Sequence, residues 1–420
     1  MPCSEEMVQK LRGSRVPFFL VDAEVRLVSA GDYPFPSGKA PVQCCVVGDE
    51  LQRFEAYTSG NRSIVLPYER NWFKAKSIGI PCGVSQPILK GERLYSYFLT
   101  EDRIGSGTLI WGFSQVDEAE NEFKWMQKIN DIVSSPKPVG IGYFRNLSVK
   151  EFKNRVDLFG YLQNADRESV LREFARNSQM TEAASVYSLQ PTDVRVDEIL
   201  YGFISPELRK VVNVRDCKDY LKWLGSSCGQ NLRLLHDNNI LHGTIPRYGG
   251  VMTNSHVGNH LVSEDATWIT DLHMAQPITD KRFKEIELEC LTYVMNPLKS
   301  AERIGRARFK AITSPMTYPL FGIPLSNDFI WQSQLESQRP IDMGEDLTVA
   351  FIDGVEYGYF RRKVTYVERT LRQEFLEKTV ELKHELWKIL GLPEGMQRGV
   401  TAVHQLMVRK GLAVDLKKNH

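Results

Sequence analysis

Over the first third of the chain, apolar and polar residues alternate in short runs, the period of a strand with one buried face. Val16–Arg26 reads as a buried strand passing into polar alternation, and Val42–Val47 as a short apolar strand around Cys44 and Cys45. Arg53–Thr58 and Ser63–Pro67 alternate with Ser59–Gly60–Asn61 as their turn. Trp72–Pro81 continues the series and puts Lys74 and Lys76 on one face if extended. Tyr95–Leu99 and Leu109–Phe113 are two further strands around a Gly105–Ser106–Gly107 turn. The period then changes. In Ser114–Asp131, Ala119, Phe123, Met126 and Ile129 fall near helical spacing, while Asp117, Glu118, Glu120 and Glu122 load the first half with acid that the helix dipole favours.

Ser134–Pro138 interrupts the pattern with two prolines, which lock φ and discourage helix. Val139–Phe144 reads as a strand at a junction, and Leu147–Leu162 and Glu168–Ser178 as an inserted helical pair. Ala183–Leu189 and Val194–Leu200 read as strands. Helices dominate thereafter. Asp216–Leu235 carries Leu221, Leu224, Cys228, Leu232 and Leu235 at three- and four-residue steps. Lys281–Met295, Ala301–Ile312, Val364–Leu390 and Val400–Lys410 follow, the third stopped by Gly391–Leu392–Pro393. The pattern predicts an α+β protein: a strand-rich part over residues 1–137, then a mainly helical part over 138–420 with an insertion at about 147–180.

Composition narrows the classes. With 420 residues, 42% hydrophobic and 25% charged, the chain is ordinary for a globular protein of several domains or one large bilobed one. A net charge of +1 offers no broad field for nucleic acid or membrane surfaces. The seven cysteines form no CxxC pair, and no apolar run approaches the ~20 residues that span a bilayer. A reducing, cytoplasmic setting is the expectation, with no membrane among the partners and nucleic acid not indicated.

The stretch Asn231–Ala275 carries the chemistry. A helix closes on Leu234, Leu235 and His236, and a short apolar step leads to His242–Gly243. A loop reaches Asn254–Ser255–His256–Val257–Gly258–Asn259. A strand (His260–Val262), a turn (Ser263–Ala266) and a second strand (Thr267–Thr270) then deliver Asp271. A hairpin with Asn259 before it and Asp271 after it sets two hard oxygen ligands at one end, which suits Mg²⁺.

These residues resemble the protein-kinase-like superfamily, nearest its aminoglycoside phosphotransferase and selenoprotein O branches. The resemblance rests on the Leu234–Leu235–His236 helix end, His242–Gly243, His256-x-x-Asn259 and the hairpin to Asp271. It implies a two-lobed fold, an ATP cofactor with Mg²⁺ on Asn259 and Asp271, and a strand lysine, Lys76 rather than Lys74, gripped by a helix glutamate, Glu122. It also implies that adenine bonds the interlobe strand. The chain departs from the pattern twice. Thr244–Thr253 separates His242–Gly243 from the loop, and the catalytic aspartate position holds Asn254, which accepts no proton as a carboxylate does. His256 is a candidate base or a brace for the loop.

Three functions follow as expectations. One is ATP-dependent phosphoryl or nucleotidyl transfer to a protein or small molecule; selenoprotein O transfers AMP without the usual carboxylate. The second is a pseudokinase that binds nucleotide without turnover. The third is a zinc hydrolase built on His236, His242, His256, His260 and His273.

Overall fold

The computed structural model describes residues 15–43, 53–59, 63–79, 113–148, 179–202, 214–247, 250–293 and 345–377. The strands expected at Tyr95–Leu99 and Leu109–Phe113, most of the inserted helical pair, and the elements expected at Ala301–Ile312 and Val400–Lys410 lie outside or mostly outside these residues.

The architecture is α+β, built on a curled antiparallel sheet. Its strands are β1 (Val16–Asp22), β2 (Glu24–Leu27), β3 (Lys39–Val42), β4 (Arg53–Thr58), β5 (Ser63–Tyr68), β6 (Asn71–Lys76), β7 (Lys137–Ser148) and β8 (Gln179–Gln190). They lie in the order β2-β7-β8-β6-β5-β4-β1-β3. Ala23 alone separates β1 from β2, yet β1 pairs with β3 and β4 while β2 pairs with β7. The bent strand therefore joins the two flanks of the ladder and forces the sheet to curl. Phe18, Ile64, Phe73, Val139, Phe144 and Tyr187 pack on one side of it.

The sheet runs past the division expected at 137/138. The strand expected at Val139–Phe144 belongs to β7, which pairs along its length with β8 and with β2. Its two inner glycines serve that packing. A Cβ at Gly140 would meet the Arg26 carbonyl, and one at Gly142 the Tyr187 hydroxyl.

Among the described residues, one helix packs against the sheet before β7. This is α1 (Val116–Ile129), whose Ala119, Trp125, Met126 and Ile129 meet Ile141, Ala184 and Val186 of the sheet. The same cluster takes in Leu235, Ile240, Ile269, Leu272 and Ala275, so α1 lies between the sheet and the central stretch. After β8 comes α2 (Val196–Gly202), a helix where a strand was expected at Val194–Leu200. Val196, Ile199 and Leu200 recur at helical spacing and are all fully buried.

Further helices among the described residues include α3 (Val214–Asp237), α4 (Arg282–Tyr293) and α5 (Glu345–Arg361). No helix among the described residues is long and apolar enough to cross a membrane. The pair α3 and α5 is close-packed through Gly225 and Gly229 on one and Gly354 and Gly358 on the other. A Cβ at any of the four would come closer than 3.0 Å to a backbone atom of the opposite helix. The long helix expected from Val364 starts later, because residues 362–368 are not helical. Arg362 has φ 56° and turns the chain, and the Thr365 amide donates to Ser226 Oγ of α3 at 2.9 Å. Val367 and Phe375 nonetheless reach the core beside α3.

Overpacking a core costs about 1–3 kcal/mol, and backbone in the way makes relief harder. Gly358→Ala should therefore lower stability by about 2 kcal/mol or more, read as a shift of the urea midpoint at constant slope. Gly31→Ala, with nothing within 4 Å of the new methyl, is the control.

Candidate functional site

Lys76 ends β6, and its side chain leaves the sheet toward α1. Its Nζ donates to Glu122 Oε1 at 2.7 Å and Oε2 at 2.8 Å, and also to Asp271 Oδ1. Glu122 is buried on the inner face of α1, while Lys76 and Asp271 are half-buried. A strand, a helix and a loop thus meet in one cluster of charge. Lys74, two residues back, goes elsewhere: its Nζ lies 3.9 Å from buried Asp193, whose Oδ1 also accepts from Ser59 and Gln190.

The central stretch forms as its pattern predicts, with one addition. The strands His260–Val262 and Thr267–Ile269 make the expected hairpin, with His260 opposite Ile269. The Thr270 amide donates to the Asn259 carbonyl at 2.9 Å, so the residue before the hairpin and the one after it lie side by side. Between Gly243 and Asn254 stands a β-ribbon, Thr244–Arg247 paired with Gly250–Thr253. Thr244 pairs with Thr253, and the Asn254 amide donates to the Gly243 carbonyl at 2.9 Å. The extra residues close on themselves, and Gly243 meets Asn254 as though they were absent.

Asn254 and Asn259 are tied into this loop. Asn259 Nδ2 donates to the Asn254 carbonyl at 2.9 Å, which leaves the amide oxygen outside that bond. Asn254 Nδ2 donates to the Asp271 carbonyl at 2.9 Å and lies 3.3 Å from His273 Nδ1. Asp271 takes the left-handed conformation, φ 63° and ψ 59°, which an aspartate tolerates better than most residues. Burial opposes its ionisation, but the Lys76 ammonium and His273 beside it prevail and hold the carboxyl well below the usual range.

Three residues complete the site: His273, singled out from sequence only among the candidate zinc-binding histidines, and Asn121 and Glu287, which pattern reading passed over. His273 Nδ1 lies 2.9 Å from Asp271 Oδ1. Asn121, beside Glu122 on α1, donates to the His273 carbonyl at 2.8 Å and the Ala275 carbonyl at 3.3 Å. Glu287 of α4 is fully buried and accepts from the amides of His242 and Gly243, each at 2.9 Å, and meets His236 Nε2 at 2.9 Å. Burial pushes its carboxyl up, yet the bonds to His236 and the Gly243 amide, with His242 nearby, bring it below the ordinary value. None of the three has a periodic signature.

His242 and His260 pack edge to face with ring centroids 5.8 Å apart, but among the described residues no three histidines bring ligand atoms together. His236 bonds Tyr359 and Glu287, and His242 Nε2 bonds the Thr270 carbonyl at 2.8 Å. Desolvation lowers His242, takes His256 to about 4 and holds His260 well below its ordinary value. All three are neutral at pH 7, and His256 is a weak base there. Among the described residues, one group has ligand atoms close enough to share an ion: Glu122, Asp271 and His273, within 4.8 Å of one another. No protein-family model matches the chain, and a search of curated proteins returns no match, so these side chains bear the functional reading alone.

Two outcomes follow for stability. His242, His256 and His260 all have folded values below the unfolded one, so the unfolded chain binds more protons once pH drops under about 6.5. Stability should be level above pH 7 and fall toward pH 4, by up to about 1.4 kcal/mol per pH unit for each histidine taking up a proton. Urea midpoints at pH 7.5, 6 and 5 read this directly, and His260→Phe should flatten the slope. Separately, Glu287→Gln replaces one oxygen acceptor with a donor facing buried amides. It should cost about 2–4 kcal/mol in the same assay.

Proposed function

We propose that this protein is an atypical kinase-like transferase with a strand-rich and a helical lobe, using Mg²⁺ and ATP to move a phosphoryl or nucleotidyl group to a protein or small molecule. The observation that carries the reading is Lys76 Nζ bonded at once to Glu122 and Asp271. A lysine oriented by a helix glutamate, beside an aspartate that follows a hairpin, is the charge arrangement that binds and polarises nucleotide phosphates.

The residues fit an Mg²⁺ ion. Asp271 supplies an ionised carboxylate and Asn259 an amide oxygen, and hard oxygen donors of this kind hold it together with phosphates. Such an ion neutralises charge between the phosphate groups. Lys76 would bond phosphate oxygens, Glu122 would hold its ammonium in place, and Asn254 would fix the Asp271 backbone through the carbonyl it bonds. His256, lowered by burial, suits a bracing role better than proton abstraction. Phosphoryl transfer depends chiefly on positioning and electrostatics, so the amide at 254 is compatible with turnover.

That same amide supports the second reading, a pseudokinase that binds nucleotide and acts through interaction. A zinc hydrolase has no such support, because among the described residues no three histidines of the central stretch bring ligand atoms together.

The test is a thermal-shift titration with ATP and Mg²⁺ on the wild type and Asp271→Asn. Asparagine keeps the tolerance for φ above zero that alanine lacks. At a hundredfold excess over Kd the wild type should gain about 2.7 kcal/mol, and Asp271→Asn should lose most of it. An equal gain in both overturns the metal role. Transfer of label from ATP then separates the transferase from the pseudokinase.

A further inference from the structure

Among the described residues, the large apolar side chains left exposed are Val28, Val349, Tyr357, Phe360 and Tyr366, and all but Val28 lie on α5 or just beyond its end. Phe360 is 62% exposed and Tyr366 87%. Val349, Asp353, Tyr357 and Phe360 recur at steps of four, four and three, which sets them along one side of the helix. The opposite side meets α3, where Gly354 and Gly358 let the backbones close and Phe351 and Val355 are buried. The outward stripe therefore contributes nothing to that packing. Single apolar residues on a surface need no account, whereas a run of them on one helix face marks an interface.

The charges of α5 are sorted along its length. Its acids, Glu345, Asp346, Asp353 and Glu356, all precede Tyr357. Arg361, Arg362 and Lys363 follow Phe360 and are exposed. Two of these groups have partners inside the chain, since Asp346 meets Lys218 at 2.7 Å and Arg362 meets Asp237 at 3.3 Å. Asp353 and Glu356 on one side of Tyr357, with Arg361 and Lys363 on the other, are left to set the sign of the face. A helix with acid before its midpoint and base at its end complements a copy of itself running the other way. Pairing in the same direction would set acid against acid.

We propose that the chain forms a homodimer through this face of α5, two copies lying antiparallel about a two-fold axis at Tyr357. Each Asp353 then faces Arg361 of the other copy, the two Tyr357 rings meet on the axis, and Tyr366 comes toward Val349 of the other copy. Phe360 is the apolar anchor on either side of the axis. A helix of 17 residues is about 25 Å long, so the contact is small and the dimer exchanges with monomer. The proposal stands apart from the transferase reading.

The experiment is sedimentation equilibrium of the full chain under reducing conditions. The wild type should pass from monomer to dimer between about 1 and 100 μM. Phe360→Ser should raise the dissociation constant by about tenfold or more. Arg361→Asp should weaken the dimer too, and adding Asp353→Arg to it should restore association, because the antiparallel copy pairs these two positions. On oxidation, Tyr357→Cys should link two copies beyond the wild-type level, and Val28→Cys should not. Unfolding curves check that each variant folds. A monomer at every concentration overturns the proposal and leaves the face to a different protein or a lipid surface. A dimer that Phe360→Ser leaves intact, or one that the double charge reversal fails to restore, overturns it as well.

Discussion

Two carboxylates brought together out of bulk water repel each other unless a cation stands between them. Here Glu122 comes from a helix and Asp271 from a loop, and Lys76 comes from a strand to neutralise both. Each member is costly alone. Glu122 is buried, and stripping it of the ammonium would leave a charge with little solvent to support it. The cluster is therefore a mutual requirement: the sheet, α1 and the hairpin loop must reach the same place for any of the three charges to be tolerated. Its net charge is one negative, in a partly open position, which is an electrostatic invitation to a cation or to a cation with its counter-charged ligand.

That convergence is secured from behind by groups that never enter the site. Glu287 gathers the His242 and Gly243 amides and His236 onto one buried carboxylate, which fixes the start of the central stretch against α4 and the end of α3. The ribbon of Thr244–Arg247 and Gly250–Thr253 returns the chain to within a hydrogen bond of where it left. Asn121 then draws the residues after Asp271 onto α1, next to Glu122. Behind α3 lies α5, at a separation that only glycine allows. The position of two or three reactive atoms thus depends on contacts distributed through the helical part of the fold.

Local patterns recorded some of this and missed the rest for physical reasons. The hairpin His260–Val262 with Thr267–Ile269 was legible because turn and strand signals agree over ten residues. Lys76 and Glu122 were legible as a strand lysine and a helix glutamate at the edge of an apolar face, and they do meet. Helix α5 was not, because Gly354 and Gly358 lower helix propensity by about 1 kcal/mol each, and only the partner helix explains them. The extension of the sheet through β8 was hidden because its connection after β7 interrupts the strand series. Glu287 was invisible in principle, because one buried carboxylate on a helix has no period to detect, and His273 stood out only as one histidine of five, with nothing to show that it meets Asp271. Thr244–Thr253 looked like a disruption of the loop, because a ribbon that closes on itself spans ten positions in sequence and almost none in space.

Position 254 shows how the parts constrain the chemistry proposed here. An aspartate there would set a carboxylate against the Asp271 carbonyl, beside a cluster already one negative charge in excess. Asparagine instead donates to that carbonyl and holds the left-handed turn from which the Asp271 side chain leaves. The amide gives up proton acceptance and supplies order to the loop. His256 does not serve as a base in its stead, since its surroundings disfavour the proton a base must carry. In the transferase proposed above, the protein's contribution is then the placement of charge around the phosphates, and an acceptor that ionises readily, or a transfer in which proton removal lags behind bond breaking, is the chemistry such a site serves best.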